Sequence, residues 1–360
     1  MMQFPHFESQ LHTLNFAYFY VLRFCLKKNS ILYFDVIFTF GGRSMIGKSY
    51  SATYYLDALY ALIQRLSLSN SKRQDLENEY MRIKAGDLGE KVVMDSLEQL
   101  KLPYKFYTFH NLHLLIESRI QIDVFLLTPY FMLILEIKNI KGAIELRKNP
   151  SQLVRTLQDG EVNAFNSPEP QLQEYVHQFM RFFEEQGIHI PIYGAIVFPF
   201  SSSFIKQTSN TSTILLRNEL KPFLRRIPTN KEYLSNKELE YWKSFFIRKH
   251  KEFNPYPLME RYNIPRANIL NGVFCRECGK IGMQRIAYYW FCPHCHFKSS
   301  SGHETAIYEY LKIINSYITN AECRDFLGLN DINKSYRILK SMSLKKVGSY
   351  KNAKYTLPEN

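Results

Sequence analysis

Residues 120–139 read "IQIDVFLLTPYFMLILEIKN", two apolar runs joined at Pro129 and Tyr130. Runs of this length bounded by a proline predict the two strands of a hairpin. With Pro129 and Tyr130 as the turn residues, Thr128 faces Phe131, and counting back sets Asp123 directly across from Glu136. Lys138 lies two residues beyond Glu136 and projects to the same face, while Leu135 and Ile137 turn into the core. Carboxylates that face each other repel unless positive charge lies between them. A divalent cation supplies that charge: Mg²⁺ takes hard oxygen ligands, needs only one or two carboxylates, and leaves room for water and a phosphate. The lysine then orients an attacking water or neutralises charge as a phosphodiester becomes pentacoordinate. An E-x-K by itself is more often a surface pair worth under about 1 kcal/mol. The opposed aspartate and the apolar flanks are what favour a site here.

The surrounding sequence supplies a layer for this hairpin. Before it stand a helical stretch, "GDLGEKVVMDSLEQL", and a strand, "YKFYTFHNLHLLI"; after it come "AIEL", a helix, "PQLQEYVHQFMRFFEEQ", and a strand, "PIYGAIVFPF". This is the pattern of an α/β layer, a mixed sheet flanked by helices. The serine-rich "SSSF" and "TSNTS" read as loop, and "NKELEYWKSFFIRKH" as a closing helix, so the domain is expected over residues 85–250. Residues 251–272 hold three prolines with little periodicity and read as a linker.

Three segments, "AGDLGEKVV", "IQIDVFLLTPYFMLILEIKNIKGAIEL" and "IVFP", resemble the NERD family, the nuclease-related domain, which belongs with the PD-(D/E)xK nucleases. The resemblance covers residues 85 to 200, about a third of the chain. It implies a restriction-endonuclease-like core. By the resemblance, Glu90 in G-x-x-G-E points at the site from the first helix, Asp123 and Glu136 bind Mg²⁺ or Mn²⁺, and Lys138 assists the water. A glutamine on the following helix completes the family's constellation; "SPEPQLQEYVH" offers Gln173, or Gln171 in another register, and Gln173 is preferred. Ile140 stands where the family commonly has an aromatic residue.

Composition limits the partners. The 360 residues are 46% hydrophobic, enough for more than one domain, and 46 Lys+Arg against 33 Asp+Glu leave a net charge of +13. That balance favours polyanions, with nucleic acid first and an anionic membrane surface second. The most apolar stretch, residues 14–40, is interrupted by Arg23, Lys27 and Lys28 before any run reaches a bilayer's span. With no signal-peptide pattern either, the chain is expected to be cytoplasmic, with no membrane partner.

Near the start stands Gly42–Ser49, "GRSMIGKS", which matches G-x-x-x-x-G-K-S, the pattern of a phosphate-cradling loop. Such a loop needs a parallel α/β domain around it, yet the residues up to 84 read as a helical hairpin, so the match is taken as chance. Residues 1–44 are accordingly read as an upstream mistranslation or disordered extension, with the start at Met45 and the helical hairpin over 45–84.

Cys275, Cys278, Cys292 and Cys295 form C-x2-C, thirteen residues, C-x2-C, with an aromatic strand between. This spacing predicts one structural Zn²⁺ held by four thiolates in a ribbon over 273–298. His294 and His296 are the alternative ligands, and Cys25 and Cys323 are single. Residues 303–358 read as three helices and a basic hairpin, similar to the winged helix-turn-helix group. Residues 334 to 354 hold seven Lys/Arg and no Asp/Glu, as a recognition helix and wing on phosphates require. The combined expectation is a Mg²⁺-dependent nuclease positioned on DNA by its C-terminal modules, with RNA as an alternative substrate. The rival readings are a non-catalytic DNA-binding regulator built on the same fold and, third, a phosphate-loop nucleotidase. Sequence alone leaves the oligomeric state open.

Overall fold

The hairpin of residues 120–139 forms the middle of a six-stranded sheet. The computed structural model describes residues 44–50, 54–208, 211–252 and 254–358, all within one compact unit, Thr39–Asn360. Strand β3 (Arg119–Leu127) pairs antiparallel with β4 (Met132–Ile137) from Leu127↔Met132 to Val124↔Leu135, the register expected from the turn. Thr128 makes the turn tight: its backbone N–H donates to the Phe131 carbonyl at 3.1 Å. Its hydroxyl oxygen accepts from the N–H groups of Tyr130 at 3.1 Å and Phe131 at 2.9 Å.

On one side β3 pairs antiparallel with β2 (Phe106–Leu115), and β2 pairs parallel with β1 (Ser44–Lys48). On the other, β4, β8 (Ile192–Phe198) and β10 (Thr213–Leu216) run parallel. The strands alternate between two apolar faces. Leu133, Leu135, Ala195 and Val197 face helices α2 (Arg73–Glu98) and α4 (Leu220–Arg226). Phe125, Ile134, Ile196 and Phe198 face α3 (Glu169–Glu185) and α5 (Asn236–Lys249). Burial on both sides explains why β4 reads as one continuous apolar run instead of alternating. A smaller sheet in the order β7-β6-β5-β9 follows directly from β4: β5 (Gly142–Arg147), β6 (Gln152–Thr156), β7 (Val162–Asn166) and β9 (Ser203–Gln207).

Several expectations are corrected. Of the serine-rich segments expected as loop, "SSSF" runs into β9, whereas β10 begins directly after "TSNTS". Ser44–Lys48, expected as the end of the upstream extension and the start of a helical hairpin, is an edge strand of the main sheet. Gly47 explains why: a β-carbon built there lies 2.6 Å from Cε1 and Cζ of the Phe109 ring, so only glycine lets the strand lie against β2. Within the described part of the G-x-x-x-x-G-K-S match, Ser44–Lys48 thus forms a strand instead of looping around a phosphate. The rest of the expected upstream extension, residues 1–43, lies outside the described residues, as does Cys25.

The expected linker is packed structure. Helix α1 (Tyr54–Arg65), α6 (Leu258–Arg261) and Ile264 and Ile269 share one core with Trp290 of the cysteine segment and the C-terminal helices. Arg65 holds this core at its centre. Fully buried, it donates through Nε and Nη2 to Glu309 Oε2 at 2.9 and 2.5 Å and through Nη1 to the carbonyls of Leu270 and Gly272 at 2.9 and 3.2 Å. Its guanidinium also lies over the rings of Phe274 and Phe326.

The cysteine segment is a small sheet, β11 (Gln284–Ile286), β12 (Tyr289–Phe291) and β13 (Lys298–Ser299). Trp290 Nε1 donates to His303 Nδ1 at 3.1 Å, tying this sheet to α7 (Gly302–Ile313). Then follow β14 (Tyr317–Thr319), α8 (Asn320–Leu327), α9 (Ile332–Ser341), β15 (Lys345–Val347) and β16 (Lys354–Thr356), with strand order β14-β16-β15. Capping boxes or caps at Thr319 and Asp331 start α8 and α9. Among the described residues no helix is long and apolar enough to cross a membrane.

Candidate active site

Two sequence motifs lock to each other where α2 crosses the end of β4. Asn139, directly after E-x-K, donates from Nδ2 to the Ala85 carbonyl at 2.7 Å. A β-carbon on Gly89 would stand 3.0 Å from Asn139 Cβ and 3.2 Å from Pro199 Cγ. The second glycine of G-x-x-G-E therefore lets the helix approach the strand end, and Glu90 comes with it.

Glu90, Asp123, Glu136 and Lys138 meet at this crossing. Lys138 Nζ bonds Glu136 Oε1 at 2.7 Å, and the Ile137 N–H donates to Asp123 Oδ2 at 2.7 Å. Glu136 is 3% exposed. Burial, reinforced by the neighbouring charges of Glu136 and Glu90, raises the Asp123 carboxyl well above the usual range despite the Ile137 N–H and Lys138. Burial and then Asp87 and Glu136 push Glu90 up to about 8. Burial opposes the charge on Lys138, but Glu136, Asp123 and Glu90 outweigh it and hold the ammonium protonated. The centre thus gathers carboxylates whose mutual repulsion the nearby lysines do not cancel, the electrostatic condition that a divalent cation relieves.

Asp87, one turn before Glu90, adds a fourth carboxylate that the sequence reading missed. Tyr50 donates to its Oδ2, while Oδ1 is buried and has no hydrogen-bond partner among the described residues. His110, also missed, is buried and shares a 2.8 Å hydrogen bond between its Nε2 and Glu90 Oε2. Burial and the charge of Lys48 lower it to about 4. The signal for both was present as polar residues in apolar settings, Asp87 inside "GDLGE" and His110-Asn111 inside "FYTFHNLHLL". Gln173 does not join the group: it is exposed on α3, and among the described residues it forms no hydrogen bond to these side chains. Gln171 donates instead to Tyr175 Oη at 3.1 Å.

The four cysteine sulfurs lie within 4.8 Å of one another, with Cys275 and Cys295 3.5 Å apart and Cys278 and Cys292 3.6 Å apart. Among the described residues this is the group of three or more potential ligands gathered so closely, and it is compatible with a structural zinc. His296 instead stacks on Phe291.

Residues 85–199 match the family model described as NERD, nuclease-related domain. The match assigns these residues, about a third of the chain and the central part of the α/β layer, to that domain and so to nuclease-related function. No curated protein and no solved structure shows a significant match to the chain.

Proposed function

We propose that this protein is a Mg²⁺- or Mn²⁺-dependent nuclease that hydrolyses DNA phosphodiester bonds. The observation that carries this reading is the gathering of Glu90, Asp123 and Glu136 around Lys138, with the Glu90 and Asp123 carboxyls both raised by burial and by neighbouring carboxylates, Glu136 among them. Asp123 and Glu136 would hold the cation, and the unpartnered Oδ1 of Asp87 fits a centre short of positive charge. A bound cation polarises the phosphoryl group and makes a neighbouring water more acidic. Lys138 stays cationic, so its part is to orient that water and to neutralise charge on the phosphoryl oxygens, not to take a proton. The four cysteines would close a structural zinc site beside the C-terminal helices.

The three helices and antiparallel hairpin of residues 302–356 support a winged helix-turn-helix reading. Lys334, Arg337 and Lys340 are exposed on α9, and Lys345, Lys346 and Lys354 are exposed on the hairpin. These side chains form a basic surface suited to phosphates. The exposure of Gln173 favours a second reading, a DNA-binding regulator in which the nuclease-related layer is a scaffold.

One experiment separates the two. Nicking of supercoiled, linear, branched and single-stranded DNA, and of RNA, is measured with Mg²⁺ or Mn²⁺ for the wild type, Glu136→Gln and Lys138→Ala. The nuclease reading expects cleavage that nearly vanishes in both variants while DNA affinity is kept. Cleavage that survives Glu136→Gln, or metal-independent DNA binding without cleavage of any substrate, overturns it.

A further inference from the structure

Lys48, the lysine of the G-x-x-x-x-G-K-S match, sends its ammonium across from β1 to β2. Nζ donates to the His110 carbonyl at 2.8 Å and to the Asn111 carbonyl at 3.4 Å. Among the described residues no carboxylate lies within ion-pair range of it. Burial lowers its pKa while Glu252 and Glu90 oppose the shift, so a half-buried cation without an ion-pair partner among the described residues is retained close to an acidic centre.

The backbone it holds is unusual. Asn111 has φ of 48°, a left-handed conformation uncommon outside glycine. The β2–β3 ladder pairs His110 with Val124 and Leu112 with Ile122 but leaves out Asn111, which lies opposite Asp123. The Asn111 side chain supports the distortion, since its Oδ1 takes hydrogen bonds from His113 Nε2 at 2.8 Å and Gln121 Nε2 at 3.0 Å. Strained backbone of this kind gathers at functional sites. The side chain next to it is His110, whose Nε2 engages Glu90 Oε2. Among the described residues no group donates to Glu90 Oε1, which is left for the centre.

We propose that Lys48 and His110 are positioning residues of the carboxylate centre: Lys48 fixes the distorted backbone at His110 and Asn111, and His110 fixes the Glu90 carboxylate for the divalent cation. The inference rests on the metal-dependent reading given above. It also assigns a role to the edge strand, whose lysine serves the acidic centre and not a nucleotide. Outer partners of this kind change metal affinity by about 10–100-fold when removed.

The test is Mn²⁺ binding by calorimetry to the full chain, alongside thermal unfolding, for the wild type, Lys48→Met, His110→Phe, His110→Gln and Glu136→Gln. Lys48→Met and His110→Phe are expected to weaken Mn²⁺ on the order of tenfold or more while unfolding near the wild-type temperature. His110→Gln, whose amide can replace the ring N–H, should recover most of the loss. If Lys48→Met does not fold, the two His110 variants carry the comparison. Wild-type Mn²⁺ affinity in folded Lys48→Met and His110→Phe, with binding lost in Glu136→Gln, overturns this inference alone. His110→Gln binding no better than His110→Phe reduces the histidine to packing and also overturns it. A wild type that binds no Mn²⁺ overturns the metal reading and this inference with it.

Discussion

On the metal-dependent reading proposed above, Glu90 should make metal affinity and stability depend on pH in opposite senses. Its carboxyl is pushed up to about 8 from an ordinary 4.5, first by burial and then by Asp87 and Glu136. Below pH 4.5 the group is protonated whether the chain is folded or not. Between 4.5 and about 8 only the unfolded chain gives up its proton, so the metal-free protein loses stability across that window, by at most about 1.4 kcal/mol per pH unit. Above about 8 both states are charged and the loss stops. Asp123, raised in the same direction, deepens the fall. A cation needs the charged form, so below pH 8 it must displace a proton, and Mn²⁺ affinity should rise about tenfold per pH unit before levelling. Calorimetry at about pH 6, 7 and 8 in two buffers of different ionisation heat measures both the affinity and the protons released. Thermal unfolding with and without Mn²⁺ should show the cation restoring what the pH removed. Affinity that is flat across this range, with no proton release, would refute the reasoning and take Glu90 out of the centre.

Other perturbations test the remaining parts. Purified protein should contain about one zinc per chain, and Cys275→Ser should lose it. Because Cys275 shares a core with α1 and α7, hydrogen exchange should then quicken in residues 54–65 and 302–341 but not in the strands of residues 106–198; unchanged metal content would remove the cysteines as ligands. Replacing Lys345 and Lys346 together by alanine should flatten the salt dependence of log affinity for DNA by about 1.8, and an unchanged slope would move the hairpin off the phosphates. Arg65→Met should cost about 3–5 kcal/mol in denaturant unfolding, because it strands Glu309 and two carbonyls. Adding Glu309→Leu should recover part of that, and a loss under about 1 kcal/mol would mean that Arg65 does not hold the core.

What could be read beforehand was local. A two-residue turn and uniform apolar flanks were enough to set Asp123 across from Glu136, because antiparallel register propagates from a turn by counting. The C-x2-C pairs, the three C-terminal helices and the basic hairpin were legible for the same reason. Non-local pairing was not. β1 joins β2 in parallel across about sixty residues, and nothing in "SMIGK" announces a strand except a glycine whose need lies in Phe109. Residues 251–272 look like a linker because prolines and isolated apolar residues carry no period, yet Leu258, Ile264 and Ile269 each fill a site made by distant helices. β6 and β7 had a signal that went unread, the Asp159-Gly160 turn between two short alternating runs. Gln173 was placed by resemblance to a pattern, and the helix turns it to solvent.

Helix α2 runs twenty-six residues, close to 39 Å, and belongs to both cores. Leu76 near one end packs with α1 and the C-terminal helices, while Val93, Met94 and Leu97 near the other lie under the main sheet. The nuclease-related match begins at residue 85, in the middle of that helix. A boundary drawn from sequence likeness therefore does not coincide with any seam in the molecule. Cutting there would shorten the helix by nearly half, remove the anchor that fixes its axis, and leave Glu90 only five residues from a frayed end. The recognisable domain is in this sense not a detachable one: the front of α2 that anchors it packs in the core shared with the cysteine segment, so removing that core would unseat half of the helix that carries Glu90.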